Sequence, residues 1–309
     1  MTTVALPDTA AGVPGDIAGR WNRFWFEPVA PDNLGFCRLL FYGILLVYFA
    51  VVHFDGWASI PRSFYAPVWP FEKLHIPIVP DPYMGLVAAL WKASLFLACV
   101  GFCTRVSTAI AFVLGAYLIG VPYNFGKTDH MTAIVVFTLG FLALARSGDA
   151  WSVDAFIRRR FRGLPPPGRS GEYRWPVRAV WLTMALVFFA AGMSKVIKGG
   201  PAWVFSQHME ISLVQRFYDP NPPAVRLGLW IGQHPAAART MAAASLLGEL
   251  LFPLALFSRR ARGVLPPLLL AMQLGIGVLM NVWFWPFMYC YLFWVPWDRI
   301  LSGRPLQSR

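Results

Sequence analysis

Charged side chains are scarce in this sequence of 309 residues. Asp, Glu, Lys and Arg make up 14% of the chain, while hydrophobic residues make up 57%. Soluble globular domains carry roughly 25% charged residues. The mean hydropathy of +0.52 points the same way. The composition therefore excludes an ordinary soluble domain and indicates an integral membrane protein.

Motifs for metal ions, phosphate groups and secretion are also missing. The 4 cysteines form no CxxC pair, and Cys99 and Cys103 stand four residues apart with no histidine nearby. We interpret the cysteines as small apolar side chains and expect no metal site. There is no glycine-rich phosphate loop. The first 30 residues lack a positive region followed by an apolar core, so we expect no cleavable signal peptide.

Apolar stretches recur along the chain at the length that a membrane span needs. About 20 residues cross the roughly 30 Å of hydrocarbon as a helix, and backbone groups in lipid must be satisfied within the protein. The expected fold class is all-α, a polytopic membrane protein with about eight transmembrane helices in one bundle. The predicted spans are residues 36–54, 83–103, 106–123, 130–147, 177–197, 238–257, 264–281 and 284–300.

The net charge of +12 is distributed unevenly. Arginines lie in connections that share one side if the spans alternate, and the positive-inside rule makes that side cytoplasmic. Both termini are then cytoplasmic, and we expect a bacterial cytoplasmic membrane. Because topology accounts for the positive charge, we expect membrane lipid as a partner and no nucleic acid. The arginines in question are Arg105, Arg158, Arg159, Arg160, Arg162, Arg169, Arg174, Arg259, Arg260 and Arg262.

Three regions follow from this pattern. They are a cytoplasmic or interfacial segment at 1–35, a transmembrane domain at 36–300 and a cytoplasmic tail at 301–309. Residues 17–29 mix aromatics with arginines, which is typical of an interfacial helix or of an ordinary juxtamembrane segment. The outer loops 55–82 and 198–237 are rich in aromatic residues, and we expect them to roof a cavity.

Four ionisable residues stand out within the predicted spans, where such a residue costs roughly 2.5–3.5 kcal/mol on insertion scales. Lys92 and Glu249 are both on the order of 14–17 Å deep, which favours a structural ion pair; a proton or substrate role is the alternative. Lys195 lies roughly 27 Å along its span, near the outer boundary, where it either snorkels or takes part in a reaction. His130 begins its span on the same side, either as an ordinary polar residue at a helix start or as a partner of Lys195.

Short motifs in a defined order resemble a known family. They are Arg38 to Gly43, Asp129-His130, Trp151-Ser152-Val153-Asp154, Ala191-Gly192-Met193-Ser194-Lys195 followed by Trp203, and Glu249 to Pro253. Together they resemble the vitamin K-dependent γ-carboxylase family and its bacterial relatives, the horizontally transferred transmembrane (HTTM) domain proteins. The resemblance covers nearly all of the chain.

The resemblance implies a membrane enzyme that uses a quinol. In the carboxylase, the lysine matching Lys195 deprotonates reduced vitamin K, dioxygen converts the quinol to an epoxide, and the strong base so formed allows carbon dioxide to add to a peptide glutamate. His130 would assist Lys195 as the second catalytic residue. Trp203, Asp129 and Gln273 would contact the substrate. The implied cofactors are a quinone of the vitamin K or menaquinol type, dioxygen and carbon dioxide, and the implied partners are the quinone and a secreted peptide or protein.

Two departures limit what the resemblance carries over. Gln273 stands where many relatives have a histidine, and the sequence ends soon after the predicted eighth span, so we expect no large lumenal domain and doubt carboxylation of a propeptide-bearing substrate. Two other classes of function stay open. One is a non-catalytic maturation, export or immunity-type protein for a secreted peptide. The other is a transporter. The charged residues Lys92 and Glu249 support it, but the inverted repeat that many transporters have is not found.

Overall fold

The computed structural model describes residues 17–127 and 131–301. Within these ranges the chain is helical, and the only strand-like pairing is an isolated bridge between Val29 and Ser170. The all-α class is therefore confirmed. The helices are α1 Ile17–Phe26, α2 Asp32–Ala50, α3 Trp69–Lys73, α4 Asp81–Val100, α5 Thr104–Gly120, α6 Ala133–Leu144, α7 Val153–Arg162, α8 Trp175–Gly199, α9 Ala202–Phe205, α10 His208–Phe217, α11 Leu227–Gly232, α12 Pro235–Leu251, α13 Leu254–Phe257, α14 Arg259–Met280, α15 Trp285–Met288 and α16 Trp297–Leu301.

Among the described helices, five are long and apolar enough to cross a membrane. They are α2, α4, α5 with the 3-10 turn after it, α8 with the 3-10 turn before it, and α14. The chain is thus a multi-pass membrane protein by length and composition, but the predicted count of eight spans is not confirmed. Helix α6 is shorter, with 12 residues.

Prolines account for two of the differences. The predicted sixth span, 238–257, is divided because α12 ends at Leu251 and α13 begins after Pro253. Proline removes a backbone donor and clashes with the preceding turn, which ends or kinks a helix. The predicted eighth span, 284–300, is divided into α15, a 3-10 segment Tyr289–Trp294, and α16, with Pro286 at the start of α15 and Pro296 just before α16.

The irregular segment Tyr289–Trp294 lies inside the protein. Cys290 and Phe293 are fully or almost fully buried. The indole N–H of Trp181 on α8 donates to the carbonyl of Phe293 at 2.8 Å, and the Trp181 ring stacks on Trp294. Non-helical backbone at membrane depth is tolerated where protein covers it. Packing against α8 therefore explains why a 3-10 segment persists here.

Arg38 ties three parts of the chain together at the predicted cytoplasmic end. Its buried guanidinium donates to the carbonyls of Ala98 and Cys99, which end α4, and to those of Ser147 and Trp151 in the connection before α7. The last carbonyls of a helix have no intrahelical partner. Arg38 satisfies two of them from a neighbouring helix and fixes the connection against α4.

The Trp151–Asp154 motif also has a structural place. Asp154 accepts hydrogen bonds from the backbone N–H groups of Cys103 and Thr104 at 2.9 and 2.6 Å, and from the Thr104 hydroxyl at 2.7 Å. These are the free donors at the start of α5. The Ser152 hydroxyl oxygen caps α7 by accepting from the N–H of Ala155. The motif thus caps two helices, at the end of the bundle away from Lys195.

Candidate active site at the outer end of α8

Lys195 lies near the outer end of α8, twenty residues after Trp175, which is about 30 Å along the helix. Its Nζ lies 2.6 and 2.5 Å from the two carboxylate oxygens of Glu249 on α12. The side chain of Glu249 is 7% exposed and that of Lys195 is 23% exposed. The lysine is therefore held by a buried carboxylate while part of its side chain stays accessible.

The predicted ion pair between Lys92 and Glu249 is wrong. Glu249 binds Lys195 instead. The Nζ of Lys92 donates to the carbonyls of Ala50 and Val52, at 3.1 and 3.2 Å, at the end of α2. A cation is stabilised there because free carbonyls and the helix dipole make a helix C-terminus negative. Two charges at similar depth on the same bundle need not face each other.

A glycine allows the two helices of the site to approach closely. A Cβ atom at Gly192 would lie 2.9 Å from the Leu250 side chain and 3.2 Å from the Cβ of Glu249. Gly192 is buried, one turn before Lys195 on the same face of α8. The small residue therefore sets the helix separation at which the Lys195 and Glu249 side chains meet. The Ala-Gly-x-x-Lys motif joins the lysine to the contact that positions its partner.

Trp203 covers the lysine from above. Gly200, at φ +52°, ends α8 and turns the chain into α9, and Gly199 packs on Trp203. The Nζ of Lys195 lies 5.2 Å from the centre of the Trp203 ring, in cation–π range. The Trp203 ring also contacts the His208 ring, with centroids 4.6 Å apart. The structure thus brings the predicted Lys195 and Trp203 together and adds His208 and Glu249.

Of the other predicted site residues, Lys92 and Gln273 lie within the described part of the chain. Asp129 and His130 lie outside the described residues, so their proximity to Lys195 stays a prediction. Gln273 is buried on α14, and its Oε1 has no hydrogen-bond partner in the described part of the chain. Leu269, one turn earlier on α14, packs against Gly248 beside Glu249. Gln273 is therefore near the level of the ion pair but on a different helix.

A cavity of about 320 Å³ lies between α10, α11 and the start of α12. Its walls include Glu210 and Arg239, and neither Lys195 nor Trp203 lines it. The sequence interpretation missed both residues. The available signal was one acidic residue, Glu210, in a predicted interfacial helix of the outer loop 198–237. A second cavity of about 580 Å³ lies beside Trp151, Ser152 and Arg159.

A match to a protein-family model shows the family to which the chain belongs. The sequence model of the family described as HTTM domain matches residues 26–296. This chain belongs to the HTTM domain family. The HTTM domain is linked to the vitamin K-dependent carboxylase family. No curated protein and no solved structure gave a match.

Residues of the site fall within the matched range of the HTTM domain. Lys195, Trp203, Glu249 and the glycine that joins their helices all lie between residues 26 and 296. In this HTTM protein the motif residues divide into two groups. One group holds the lysine, and the other, Arg38 with Trp151–Asp154, holds helix ends together.

Proposed function

We propose that this HTTM protein is a membrane enzyme that takes a proton from a reduced quinone, with Lys195 as the base. The observation that carries the proposal is the Lys195–Glu249 pair under Trp203. A lysine that only marks the membrane edge would extend toward water. Lys195 instead turns to a buried carboxylate and an aromatic ring, which is a typical arrangement for a residue with a task inside a membrane.

The pair supplies a place for the proton. Lys195 and Glu249 have no net charge together, whether their shared proton is on the nitrogen or on the carboxylate. With the proton on Glu249, the neutral Nζ of Lys195 accepts a second proton from a hydroxyl group and becomes an ammonium. That ammonium then faces the negative charge left by the transfer. General-base catalysis of this kind contributes typically 10²–10⁴-fold.

The surroundings of Lys195 fit a lipid-soluble aromatic substrate. Trp203 offers a ring face next to the Nζ, and Ile197 and Phe205 expose apolar side chains nearby on α8 and α9. A quinol dissolved in the bilayer would approach along such a surface. When bound, a reduced naphthoquinone supplies the electrons that reduce dioxygen. Carbon dioxide and a secreted partner would belong to a later step, the modification of a peptide or protein.

The test is aerobic turnover of reduced naphthoquinone by the purified protein, with the product identified by mass. Lys195→Ala should lower the rate about a hundred-fold or more, and Glu249→Gln should lower it as well. Lys198→Ala is the matched control, because Lys198 is exposed in the last turn of the same helix. Full activity of a folded Lys195→Ala variant would refute the assigned role.

A second function has its own observation. The cavity beside Glu210 lies in the outer loop region and excludes Lys195 from its walls. A non-catalytic maturation, export or immunity-type protein needs an outer binding surface of this kind and no base. Such a protein would tolerate Lys195→Ala but not disruption of residues 198–237. Absence of quinone turnover in the folded wild type would favour this second function.

A further inference from the structure

The cavity between α10, α11 and α12 contains a carboxylate that its surroundings do not satisfy. The side chain of Glu210 is only 9% exposed. Both of its carboxylate oxygens are buried without a hydrogen-bond partner among the residues that the structure describes. A buried charge is normally paired or hydrogen-bonded, since water is lost and nothing replaces it. Glu210 is therefore short of a hydrogen-bond donor that the described residues do not provide.

Arg239 forms a long ion pair with Glu210 but donates no hydrogen bond to it. The Nε of Arg239 lies 3.9 Å from the Oε1 of Glu210, beyond hydrogen-bond distance. The Arg239 side chain also lines the cavity and is 46% exposed. The cavity wall thus carries a buried carboxylate beside a partly exposed guanidinium. A simple cation would meet repulsion from Arg239, while a ligand with a positive end and a negative end would satisfy both groups.

The walls of the cavity narrow the ligand class further. Ile211, Val214 and Pro235 are apolar, while Gln207 and Gln215 offer amide groups. Gly232 lets α11 approach α10 closely, because a Cβ there would lie 3.0 Å from Val214. Ile211 is also exposed to the outside, and so are Leu227 and Trp230 on α11, which do not line the cavity. Exposed aliphatic and Trp side chains on amphipathic helices are typical of the membrane interface, where lipid headgroups and acyl chains meet.

We propose that this cavity binds the headgroup of an aminophospholipid such as phosphatidylethanolamine. The primary ammonium would donate to both carboxylate oxygens of Glu210, since an ammonium carries three donors. The phosphate would accept from the guanidinium of Arg239. The acyl chains would lie along Ile211, Leu227 and Trp230. This site is separate from the Lys195 site and does not depend on the reaction proposed there.

The test is lipid binding to the purified full-length protein in detergent, measured by native mass spectrometry. Phosphatidylethanolamine and phosphatidylcholine with identical acyl chains are compared, because the quaternary ammonium of choline has no N–H to donate. We expect phosphatidylethanolamine to bind tighter on the order of ten-fold, the size expected of a hydrogen bond to a charged group. Glu210→Gln should reduce this preference to near unity.

Two further variants make the test specific. Glu72→Gln is the matched control, an exposed glutamate in the other outer loop, and should keep the full preference. Arg239→Gln should weaken both phospholipids, because each has a phosphate. If Glu210→Gln fails to fold, Arg239→Gln still tests the site. Equal weakening by Glu72→Gln and Arg239→Gln, or no effect of Arg239→Gln, would overturn the proposal.

Competition distinguishes the source of the headgroup. Soluble phosphoethanolamine should displace the lipid only at far higher concentration, since it lacks the acyl chains. Tight binding of phosphoethanolamine with no preference between the two lipids would show a soluble ligand and overturn the lipid assignment. Displacement by a tetralysine peptide, again without a lipid preference, would assign the cavity to a basic peptide and also overturn it.

Discussion

Lys195 on α8 and Glu249 on α12 form a pair in which one nitrogen contacts both oxygens of a carboxylate, at 2.6 and 2.5 Å. Each side chain compensates for the burial of the other, so removing one leaves an unpaired charge in an apolar environment. Breaking a fully buried pair costs about 3–5 kcal/mol. Lys195 is 23% exposed, so a smaller loss is expected here.

Charge reversal tests this pairing. Lys195→Glu and Glu249→Lys should each lower the free energy of unfolding by about 2–3 kcal/mol. The double reversal should recover at least half of either loss, because the opposite charges meet again in the same place. The measurement is unfolding in mixed micelles at rising denaturing detergent. Additive losses in the double variant would show that the two residues do not interact.

Replacing Gly192 by alanine, which adds only a methyl group, should destabilise the protein. Gly192→Ala places a methyl group within 2.9 Å of Leu250 and should destabilise by about 1–3 kcal/mol through overpacking. Gly275→Ala is the matched control, because nothing lies within 4 Å of a Cβ there on α14. That variant should be neutral or slightly stabilising, as Ala favours helix over Gly. Thermal melting in detergent compares the two, and equal melting temperatures would contradict the close helix contact.

Arg38 should not be replaceable by lysine. Its planar guanidinium reaches carbonyls on two segments at once, whereas an ammonium on a flexible stem cannot span them. Arg38→Lys should cost about 2–4 kcal/mol, since buried carbonyls are left without donors. Arg105→Lys, at an exposed position at the start of α5, is the control. A wild-type melting temperature for Arg38→Lys would rule out this role.

Asp149 should make the stability of the folded protein depend on pH in the acidic range. Burial alone would raise the pKa of Asp149, but hydrogen bonds from Tyr173 and Arg158 and the charges of Arg146 and Arg158 hold it below its ordinary value. A lowered folded-state pKa stabilises the protein above the unfolded pKa of about 3.9, and this contribution is lost as pH falls through the folded value.

Asp149→Asn should therefore lower stability at pH 7, on the order of 2 kcal/mol, and should flatten the fall in stability below about pH 5. Melting temperatures between pH 7 and pH 3 measure both effects. Asp55→Asn, at an exposed position in the outer loop, should leave the profile unchanged. If the melting temperatures of Asp149→Asn and wild type fell in parallel with pH, the hydrogen bonds and ion pairs of Asp149 would not be the cause of the pH dependence.

Sequence patterns predicted the long helices better than the broken ones. The predicted spans 36–54, 83–103 and 264–281 correspond to α2, α4 and α14, because apolar length alone decides whether a helix can cross lipid. The run at 284–300 is also largely apolar. Its 3-10 segment arises from contacts with Trp181 on α8, which a local window of sequence does not contain.

The site was predicted in part for a similar reason. Lys195, Trp203 and Glu249 were each identified from charge, position or motif, but Glu249 was paired with the wrong lysine. The sequence placed Lys92 and Glu249 at similar depths, but depth alone does not determine which neighbouring helix a side chain on α12 faces. The helix that the Glu249 side chain faces is set by helix packing, and the close contact at Gly192 that determines this packing is seen only in the three-dimensional structure.

Glu249 is synthesised 54 residues after Lys195, so the two side chains cannot pair as soon as α8 is made. At about 5–20 residues per second, the ribosome needs roughly 3–10 s to make that stretch. During this interval Lys195 has no carboxylate partner. Its charge can still be hydrated, because Lys195 is near the end of α8 and its side chain can extend toward water. The Glu249 side chain is 7% exposed and has no such route to water. Insertion of α12 is thus favoured when Lys195 is already in the membrane to pair with Glu249. A nascent chain interrupted before residue 249 would leave the charge of Lys195 without its carboxylate partner.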